Sequence, residues 1–380
     1  MKPARLRDTK DTWCKQSDPA LHQDRERKME AQVQIPQHPQ VVVALPCLNE
    51  AKVVVDAVSS LLEDPKAEQC RFLLLDGGST DGTCDKVRAA FGDRVEIVEN
   101  PRRLQSNAVN IAAQMAQDCG APYLLRADLH AIYPVPFLSV LLETMSAEGA
   151  DSVVIPMHTL GGNPVQNAAA LVFSSWLGHG GSKHRTGKYR GWVDHGHHAL
   201  FRTDAFLAAG GYDVEFVANE DAEFDVRLSA QGGKIFLENA VMIGYVPRNS
   251  IIATFKQFRR NGRYRMWTLV KHGTGLGLRQ LLPIAVLPVL VVALLLSQAW
   301  PAFLLVPIGY LTALFCIVYL NRAASPTEVT PSLTGNAILV AAASHIGFSA
   351  GALYGLFELQ VLKPKLKLRL RTRRHIGTGA

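Results

Sequence analysis

The chain has 380 residues, 48% of them apolar, which is enough to bury at least one large core. Its formal net charge is +7, but seven basic residues with no acid among them lie between positions 363 and 374. The rest is near neutral, so a nucleic-acid partner is not indicated. The basic segment is either an anchor on anionic lipid or simply a solvated tail.

The first 39 residues are polar, charged and aperiodic, and they lack the apolar run of a signal peptide. We interpret residues 1–39 as a disordered extension, with Met29 as an alternative start. The six cysteines form no CxxC pair and no metal-ligand spacing, so reduced thiols are expected.

An alternation of strands and helices begins near residue 40. Apolar runs at 41–45 and 72–75 are typical of buried parallel strands, and a helical pattern follows each of them. Ligands of open α/β sheets bind beyond the carboxyl ends of the strands. Four polar side chains are therefore expected to converge there: Asn49, Glu50, Asp76 and Asp81. The alternative is that these residues only form turns.

A strand-like run at 123–126 is followed by Asp128 and, two residues later, by His130. Residues two apart in an extended segment share a face, so both side chains can reach one bound ion. A carboxylate with an imidazole suits Mn²⁺ better than Mg²⁺, which prefers oxygen ligands.

Three further groups of polar residues follow. Glu220 and Asp221 precede a helical pattern, where the helix dipole alone favours acids. A histidine-rich stretch offers a conceivable zinc site, with the residues Asp194, His195, His197 and His198. An arginine cluster can hold a diphosphate or lie on lipid headgroups, and its members are Arg248, Arg259, Arg260, Arg263 and Arg265.

No charged residue occurs from 280 to 321, a run of 42 positions. Spans of ~20 residues cross a bilayer, so two membrane segments are predicted, at 281–300 and 302–320. A third apolar segment, 333–357, is interrupted only by His345. The predicted domains are a catalytic domain, a membrane domain and a basic tail, at 40–279, 280–360 and 361–380.

Six motifs occur in one order along the chain: P-x-x-N-E, D-G-G-S-T-D-G-T, D-x-H, G-G-Y-D, E-D and Q-F-R-R-N-G-R. As a set, over 40–360, they resemble the family 2 inverting glycosyltransferases of the GT-A nucleotide-diphospho-sugar fold. The resemblance implies an α/β fold, with a mixed, mostly parallel sheet between helices, followed by C-terminal transmembrane helices. D-x-H, GHGGSKHR (178–185), Y-x-P-R (245–248) and R-Q-L-L-P (279–283) look most like the membrane-bound succinoglycan-type exopolysaccharide glucosyltransferases.

The resemblance implies a UDP-sugar donor and a divalent cation, Mg²⁺ or Mn²⁺, on Asp128 and His130. Asp76 would accept from the uracil N–H group. The implied donor-binding residues are Pro46, Asn49, Glu50, Asp76, Asp81, Arg103, Asn107 and Asp128. A loop over the diphosphate or acceptor is implied at Arg248, Gln257, Arg259 and Arg260, although Asn261 replaces the tryptophan of the family's motif.

Inverting transfer is one in-line displacement and needs one base. The resemblance gives this role to Asp221, with Glu220 as the second candidate and as a like charge expected to raise the pKa of Asp221. The implied acceptor is a polyprenyl-diphosphate-linked saccharide that receives a hexose, glucose, in exopolysaccharide biosynthesis. The histidine-rich stretch fits an acceptor-side loop better than a zinc site.

Two other functions stay open: a processive polysaccharide synthase, and a non-catalytic nucleotide-binding membrane scaffold. Cytosolic donors and basic residues before the first span place a multi-pass protein in the inner membrane with its catalytic domain in the cytoplasm. Three full spans would leave the basic tail outside, against the positive-inside tendency. Segment 333–357 is therefore expected to be re-entrant or to lie on the membrane surface.

Overall fold

A computed structural model of the protein describes residues 36, 38–175, 187–273, 278–321 and 330–366. Most of the predicted N-terminal extension, the GHGGSKHR stretch and the basic tail beyond residue 366 lie outside the described residues.

Eleven strands occur in the described parts of the chain. They are β1 Val41–Cys47, β2 Cys70–Asp76, β3 Val95–Glu99, β4 Tyr123–Arg126, β5 Ala131–Ile132, β6 Ser152–Ile155, β7 Met157–Thr159, β8 Gly191–Val193, β9 His197–Arg202, β10 Ile235–Leu237 and β11 Ile243–Tyr245.

The α-helices of the same regions are α1 Val54–Leu62, α2 Thr83–Phe91, α3 Gln105–Asp118, α4 Leu138–Glu148, α5 Pro164–Phe173, α6 Thr203–Ala208, α7 Glu220–Ala230, α8 Ile251–His272, α9 Leu278–Leu296, α10 Leu305–Leu320 and α11 Pro331–Phe357.

The larger sheet has eight strands in the order β3-β2-β1-β4-β9-β6-β10-β8, and β5, β11 and β7 form a second sheet. Strands β1 to β4 are parallel to one another, whereas β9 runs antiparallel between β4 and β6. The predicted α/β fold with a mixed sheet is confirmed.

Strand β1 is buried on both faces, which explains its unbroken apolar sequence. Val41, Val43 and Leu45 pack in the same core cluster as helix α1. Val42 and Ala44 face the other side, where α3 contributes a row of small residues. The alanines of α3 let that helix approach the sheet closely.

The register of the central strands brings the predicted site residues to one edge. Cys47 at the end of β1 pairs with Asp76 at the end of β2, and Ala44 pairs with Arg126 of β4. The loops after β1 and β2 therefore begin at the same level, and the loop after β4 begins three residues earlier along β1. The polar clusters that follow the strands in sequence meet at this edge because the strands are parallel.

Helix α8 packs along α11 through glycines spaced four residues apart. A Cβ atom at Gly347 would lie 2.7 Å from the Phe255 carbonyl oxygen, and one at Gly355 would lie 2.6 Å from that of Arg263. At Gly351, a Cβ atom would collide with the Arg259 carbonyl. The helices run in the same direction, since residue numbers increase together along the contact. Small residues permit this close approach.

Helix α9 is tied to α11 at a proline. Pro288 has no N–H group, so the carbonyl of Ile284, four residues earlier, lacks its helical donor. The Ser349 hydroxyl of α11 donates to that carbonyl at 2.5 Å and accepts from the Leu287 N–H at 3.1 Å. A side chain of one apolar helix thus satisfies the broken backbone of another.

Two helical stretches are long and apolar enough to cross a membrane, Pro301–Leu320 with mean hydropathy 2.3 and Pro331–Leu362 with mean hydropathy 1.5. The segment Leu281–Leu296 is apolar but shorter. The helix ends before Trp300, at the boundary between the two predicted membrane segments. Helix α11 packs on α5 and α8 as well as on α9 and α10. The predicted domain boundaries remain predictions.

We predict that Gly351→Ala destabilises the packing of α8 on α11. The added methyl group meets backbone that cannot rotate away, so a loss of about 1–3 kcal/mol or more is expected. Gly335→Ala on the same helix is the matched control, since nothing lies within 4 Å of its added Cβ. Thermal unfolding in detergent measures both variants. Equal midpoints for the two would contradict the packing described.

Candidate active site

Hydrogen bonds join the loop after β1 to the loop after β2. Asn49 Oδ1 accepts from the Thr80 N–H at 2.9 Å, and the Asn49 N–H donates to Ser79 Oγ at 2.8 Å. The Glu50 N–H donates to Thr83 Oγ1 at 3.0 Å. Asn49 itself lies in the left-handed region, with φ of 58°. The two loops therefore form one unit.

Asp76 organises the turn that follows it. Its carboxylate accepts from the N–H groups of Gly78 at 3.0 Å and Ser79 at 3.1 Å, and from Ser79 Oγ at 2.5 Å. Asp81 accepts from the Ala51 N–H and from Thr83, whose hydroxyl lowers the pKa of Asp81. The turn role of Asp76 is thus observed, and its predicted contact with uracil stays a prediction.

Arg103 and Asn107, two further residues of the predicted donor site, follow β3 in the chain, and Arg103 lies beside the loop after β2. Arg103 has φ of 56°, and a Cβ atom on Gly78 would lie 3.3 Å from its Nη2. Asn107 donates to Asn100 Oδ1 at 2.8 Å. Pro46 lies within β1, one residue before its end. Arg103 is exposed and Asn107 is half-buried.

Asp128 is 13% exposed and lies beside a guanidinium group and an imidazole. Gln105 Nε2 donates to its Oδ1 at 2.6 Å, Arg126 Nε lies 3.6 Å from Oδ1, and His198 Nε2 lies 3.8 Å from Oδ2. Burial opposes ionisation, but Arg126, His198 and His130 together outweigh it and lower the pKa of Asp128 to about 2. Asp128 is therefore a carboxylate at any working pH.

Arg126 also contacts the E-D acids of helix α7. Its Nη1 lies 3.1 Å from Glu220 Oε1, and its side chain is only 9% exposed. Burial raises the pKa of Glu220 despite this ion pair. One buried cation therefore connects the acid that follows β4 to the acids that begin α7.

Asp221 is paired with an imidazole. Its Oδ2 is hydrogen bonded to His197 Nδ1, and its Oδ1 accepts from the Ala222 N–H at 2.7 Å. Although burial opposes it, His197 holds the pKa of Asp221 well below the usual value. The predicted rise from the like charge of Glu220 is therefore wrong, because the His197 contact outweighs that repulsion.

The pKa values of His130 and His198, the two histidines near Asp128, are shifted in opposite directions. His130 Nδ1 lies 3.8 Å from Glu50 Oε1, and the Glu50 carboxylate raises the pKa of His130. Burial lowers the pKa of His198 to about 4, so its ring is neutral. His198 Nδ1 is buried without a hydrogen-bond partner among the described residues.

The donor set at Asp128 suits a divalent cation. Asp128 supplies an ionised oxygen, and His130 supplies an imidazole that is about half exposed. A different group in the described chain brings three ligand atoms within 4.8 Å of one another, and its members are His195, His197 and Asp221. The sequence places the two histidines in one stretch but does not show that Asp221 joins them.

The residues expected to form a closing loop instead lie mainly in a helix. Gln257, Arg259 and Arg260 belong to α8, with both arginines exposed and Gln257 Nε2 donating to Tyr245 Oη at 3.0 Å. The prediction of a loop at these three residues is therefore wrong, because the α8 backbone packs against α11. Arg248 is exposed before α8, close enough to His130 to oppose its protonation.

Helix α7 is anchored to the end of α8 by buried charges. Glu223 has no exposed surface and contacts Lys271 Nζ at 2.7 Å and His272 Nε2 at 2.9 Å. Asp213 contacts the same Lys271 nitrogen at 2.7 Å. At the other end of the contact, Asn219 donates to the Asn261 carbonyl at 2.8 Å. Asn261, where the family's motif has tryptophan, thus contacts the start of α7 through its backbone.

Sequence reasoning missed Arg126 and Gln105. Arg126 is the last residue of β4, where a charged residue is common. No sequence motif indicates its contact with Glu220. Gln105 opens helix α3 without any acid nearby in sequence. The one available signal is a cation in the final position of an otherwise apolar strand, next to a predicted ligand.

Comparisons with known proteins agree with this fold. Residues 42–208 match the model of glycosyl transferase family 2, and residues 137–320 match that of glycosyl transferase family group 2. The chain belongs to glycosyl transferase family 2 and is a glycosyltransferase. The family resemblance predicted from the motifs is confirmed.

Individual relatives extend the comparison. The chain is 43% identical over 281 residues to the succinoglycan biosynthesis protein ExoA of Rhizobium meliloti (strain 1021), covering 73% of this chain and 84% of that protein. It is 21% identical to a dolichyl N-acetyl-alpha-D-glucosaminyl phosphate 3-beta-D-2,3-diacetamido-2,3-dideoxy-beta-D-glucuronosyltransferase of Methanococcus voltae, covering 57% and 70%.

The fold is shared with a solved enzyme. The mannosyltransferase PcManGT from Pyrobaculum calidifontis, in complex with GDP-Man and Mn²⁺, superposes with a TM-score of 0.58 at 18% identity, covering 91% of this chain and 97% of that one. The α/β domain is therefore of the GT-A type.

We predict that Arg126→Gln destabilises the fold by about 3–5 kcal/mol, because it leaves the buried carboxylates of Asp128 and Glu220 without their cation. Arg202→Gln is the control, since Arg202 and its partner Asp204 are 48% and 68% exposed. An exposed pair contributes about 0–1 kcal/mol. Denaturant unfolding followed by tryptophan fluorescence compares them, and similar losses would refute a special role for Arg126.

Proposed function

We propose that this glycosyltransferase inverts the anomeric centre while it moves a hexose, glucose, from a UDP-sugar to a hydroxyl group of a lipid-linked saccharide. The relative named for succinoglycan biosynthesis supports a role in exopolysaccharide assembly. The second relative, named as a glycosyltransferase acting on a dolichyl phosphate sugar, supports a lipid-linked acceptor.

One observation carries the proposal most directly. Arg126 connects Asp128, which follows β4 at the loop edge, with Glu220 and Asp221 of α7. A donor-side acid and a candidate base are thus held at a fixed separation by one rigid, buried group. Transfer in a single displacement needs this arrangement, because donor and attacking hydroxyl must be aligned before reaction.

Asp221 is assigned as the base. Its carboxylate is held by His197 and the Ala222 N–H group, so it is ionised and oriented before substrate arrives. The proton of the acceptor hydroxyl passes to Asp221 as that oxygen bonds to the anomeric carbon and the nucleoside diphosphate leaves. Glu220 remains the second candidate, but its carboxylate is occupied by Arg126.

The donor is assigned to the joined loops and the site around Asp128. Glu50 and Asp76 offer acceptors to ribose or base, while the exposed Arg103 and Arg248 offer positive charge to the diphosphate. Asp128 and His130 would hold a divalent cation, which when bound neutralises charge on the leaving diphosphate. Arg126 Nε and His198 Nδ1 are buried polar atoms that lack hydrogen bonds within the described chain, so the site has groups left to satisfy.

The apolar helices are assigned to the cell membrane, with the catalytic domain in the cytoplasm where nucleotide sugars are made. Their exposed faces carry large side chains along α9 and α10, among them Val292, Leu295, Leu305 and Leu320. Lipid would cover these side chains. Because α11 is partly covered by α5 and α8, it suits a re-entrant or surface position more than a free span.

Two alternative functions differ from the proposed one in the product expected. A processive synthase would extend one acceptor by many sugars, whereas the proposed enzyme adds one sugar per lipid. A non-catalytic scaffold would bind nucleotide without transfer. The ionised, oriented Asp221 favours an enzyme over a scaffold.

We predict that Asp221→Asn reduces kcat by 10²-fold or more, since an amide keeps the shape and the hydrogen-bond contact but is not a base. Donor affinity, measured by calorimetry, should change little. Asp85→Asn, an exposed acid on α2, is the control and should retain full activity. Normal turnover by Asp221→Asn would move the base role to Glu220.

A further inference from the structure

His195, His197 and Asp221 form a set of metal-ligating side chains distinct from the predicted cation pair Asp128 and His130. One ligand atom from each lies within 4.8 Å of the other two. Ligands of tetrahedral Zn²⁺, bound at about 2.0–2.1 Å, are roughly 3.3 Å apart. Small side-chain movements would therefore bring all three onto one ion.

The three residues are held by rigid parts of the fold. His197 opens β9, which lies in the middle of the large sheet, and Asp221 lies in the first turn of α7. His195 is two residues before His197, and the two rings meet edge to face with centroids 4.9 Å apart. The cluster is thus assembled before any ion arrives.

His195 also has the support that metal-binding histidines commonly have. Its Nδ1 lies 2.6 Å from Asp225 Oδ2, and the Gly196 N–H donates to the same oxygen at 3.3 Å. Asp225 is buried on α7, one turn beyond Asp221. A carboxylate on Nδ1 orients the ring and directs Nε2 to a metal ion.

The donor types decide which ion fits. Two imidazoles and one carboxylate are a set typical of Zn²⁺, whereas Mg²⁺ prefers oxygen ligands. Such a set leaves a fourth position for water. An ion bound there would replace the proton of the hydrogen bond between His197 and Asp221.

We propose that His195, His197 and Asp221 form an inhibitory site for a divalent ion of the Zn²⁺ type, with Asp225 as the carboxylate behind His195. The inhibitory part rests on the proposed function, because an ion bound to Asp221 would prevent that carboxylate from accepting the acceptor's proton. The binding part rests on the geometry alone.

Co²⁺ titration of the full-length chain in detergent, without substrates, tests binding by the visible absorption of tetrahedral Co²⁺. The native chain should bind one equivalent of Co²⁺ with tetrahedral absorption, and Zn²⁺ should displace it. His195→Gln should abolish the absorption, and Asp225→Asn should weaken binding about 10- to 100-fold. His158→Gln, an exposed histidine on β7, is the matched control and should bind as the native chain does.

Two binding results would overturn the site: equal affinity in His195→Gln, or loss of the absorption in Asp128→Asn, which would place the ion at the donor site. Activity is then measured against Zn²⁺ at saturating Mn²⁺, each variant relative to its own zinc-free rate. His195→Gln should resist inhibition that stops the native enzyme. Tight binding without inhibition would leave the site in place and refute Asp221 as the base.

Discussion

The buried guanidinium of Arg126 is the interaction on which the site depends. Three carboxylates lie in one poorly hydrated region: that of Asp128, which follows β4, and those of Glu220 and Asp221, which begin α7. Without a cation among them they would repel one another and take up protons. Burying Arg126 costs desolvation energy, which these contacts offset. Fixed charge therefore holds the proposed donor site and the proposed base together.

Helix α8 links that site to the apolar helices. At one side it contacts α7 through the Asn219 amide and the buried group of Glu223, Lys271 and His272. At the other it packs on the glycines of α11, and Arg263 forms two hydrogen bonds with Glu358, both at 2.6 Å. With the apolar helices in a bilayer, as proposed, the base would be held at a set height above the lipid. That arrangement suits an acceptor whose reactive sugar is attached to a lipid.

The sequence predicts those features of the fold and site that depend on a local pattern of residues. The apolar runs of β1, β2 and β4 and the polar residues after them predict the loop edge, because parallel strands end together. It cannot predict contacts set by strand order. The insertion of β9 between β4 and β6 brings His197 and His198 beside Asp221 and Asp128, and nothing in their spacing shows it. The sequence therefore predicts a raised pKa for Asp221 from the adjacent Glu220. It does not show the contact with His197, which lowers that pKa. Likewise, a basic motif expected to form a loop lies in α8, because the glycines that hold this helix occur about 90 residues later.

The central claim is tested most directly by the fate of the donor sugar. The purified chain is incubated with labelled nucleotide sugars and a membrane lipid extract, and the anomeric configuration of the lipid product is determined by NMR. The account predicts that label from a UDP-hexose enters the lipid fraction as one added sugar, with β configuration from an α donor. A retained α configuration, or release of free sugar with no labelled lipid, would contradict it.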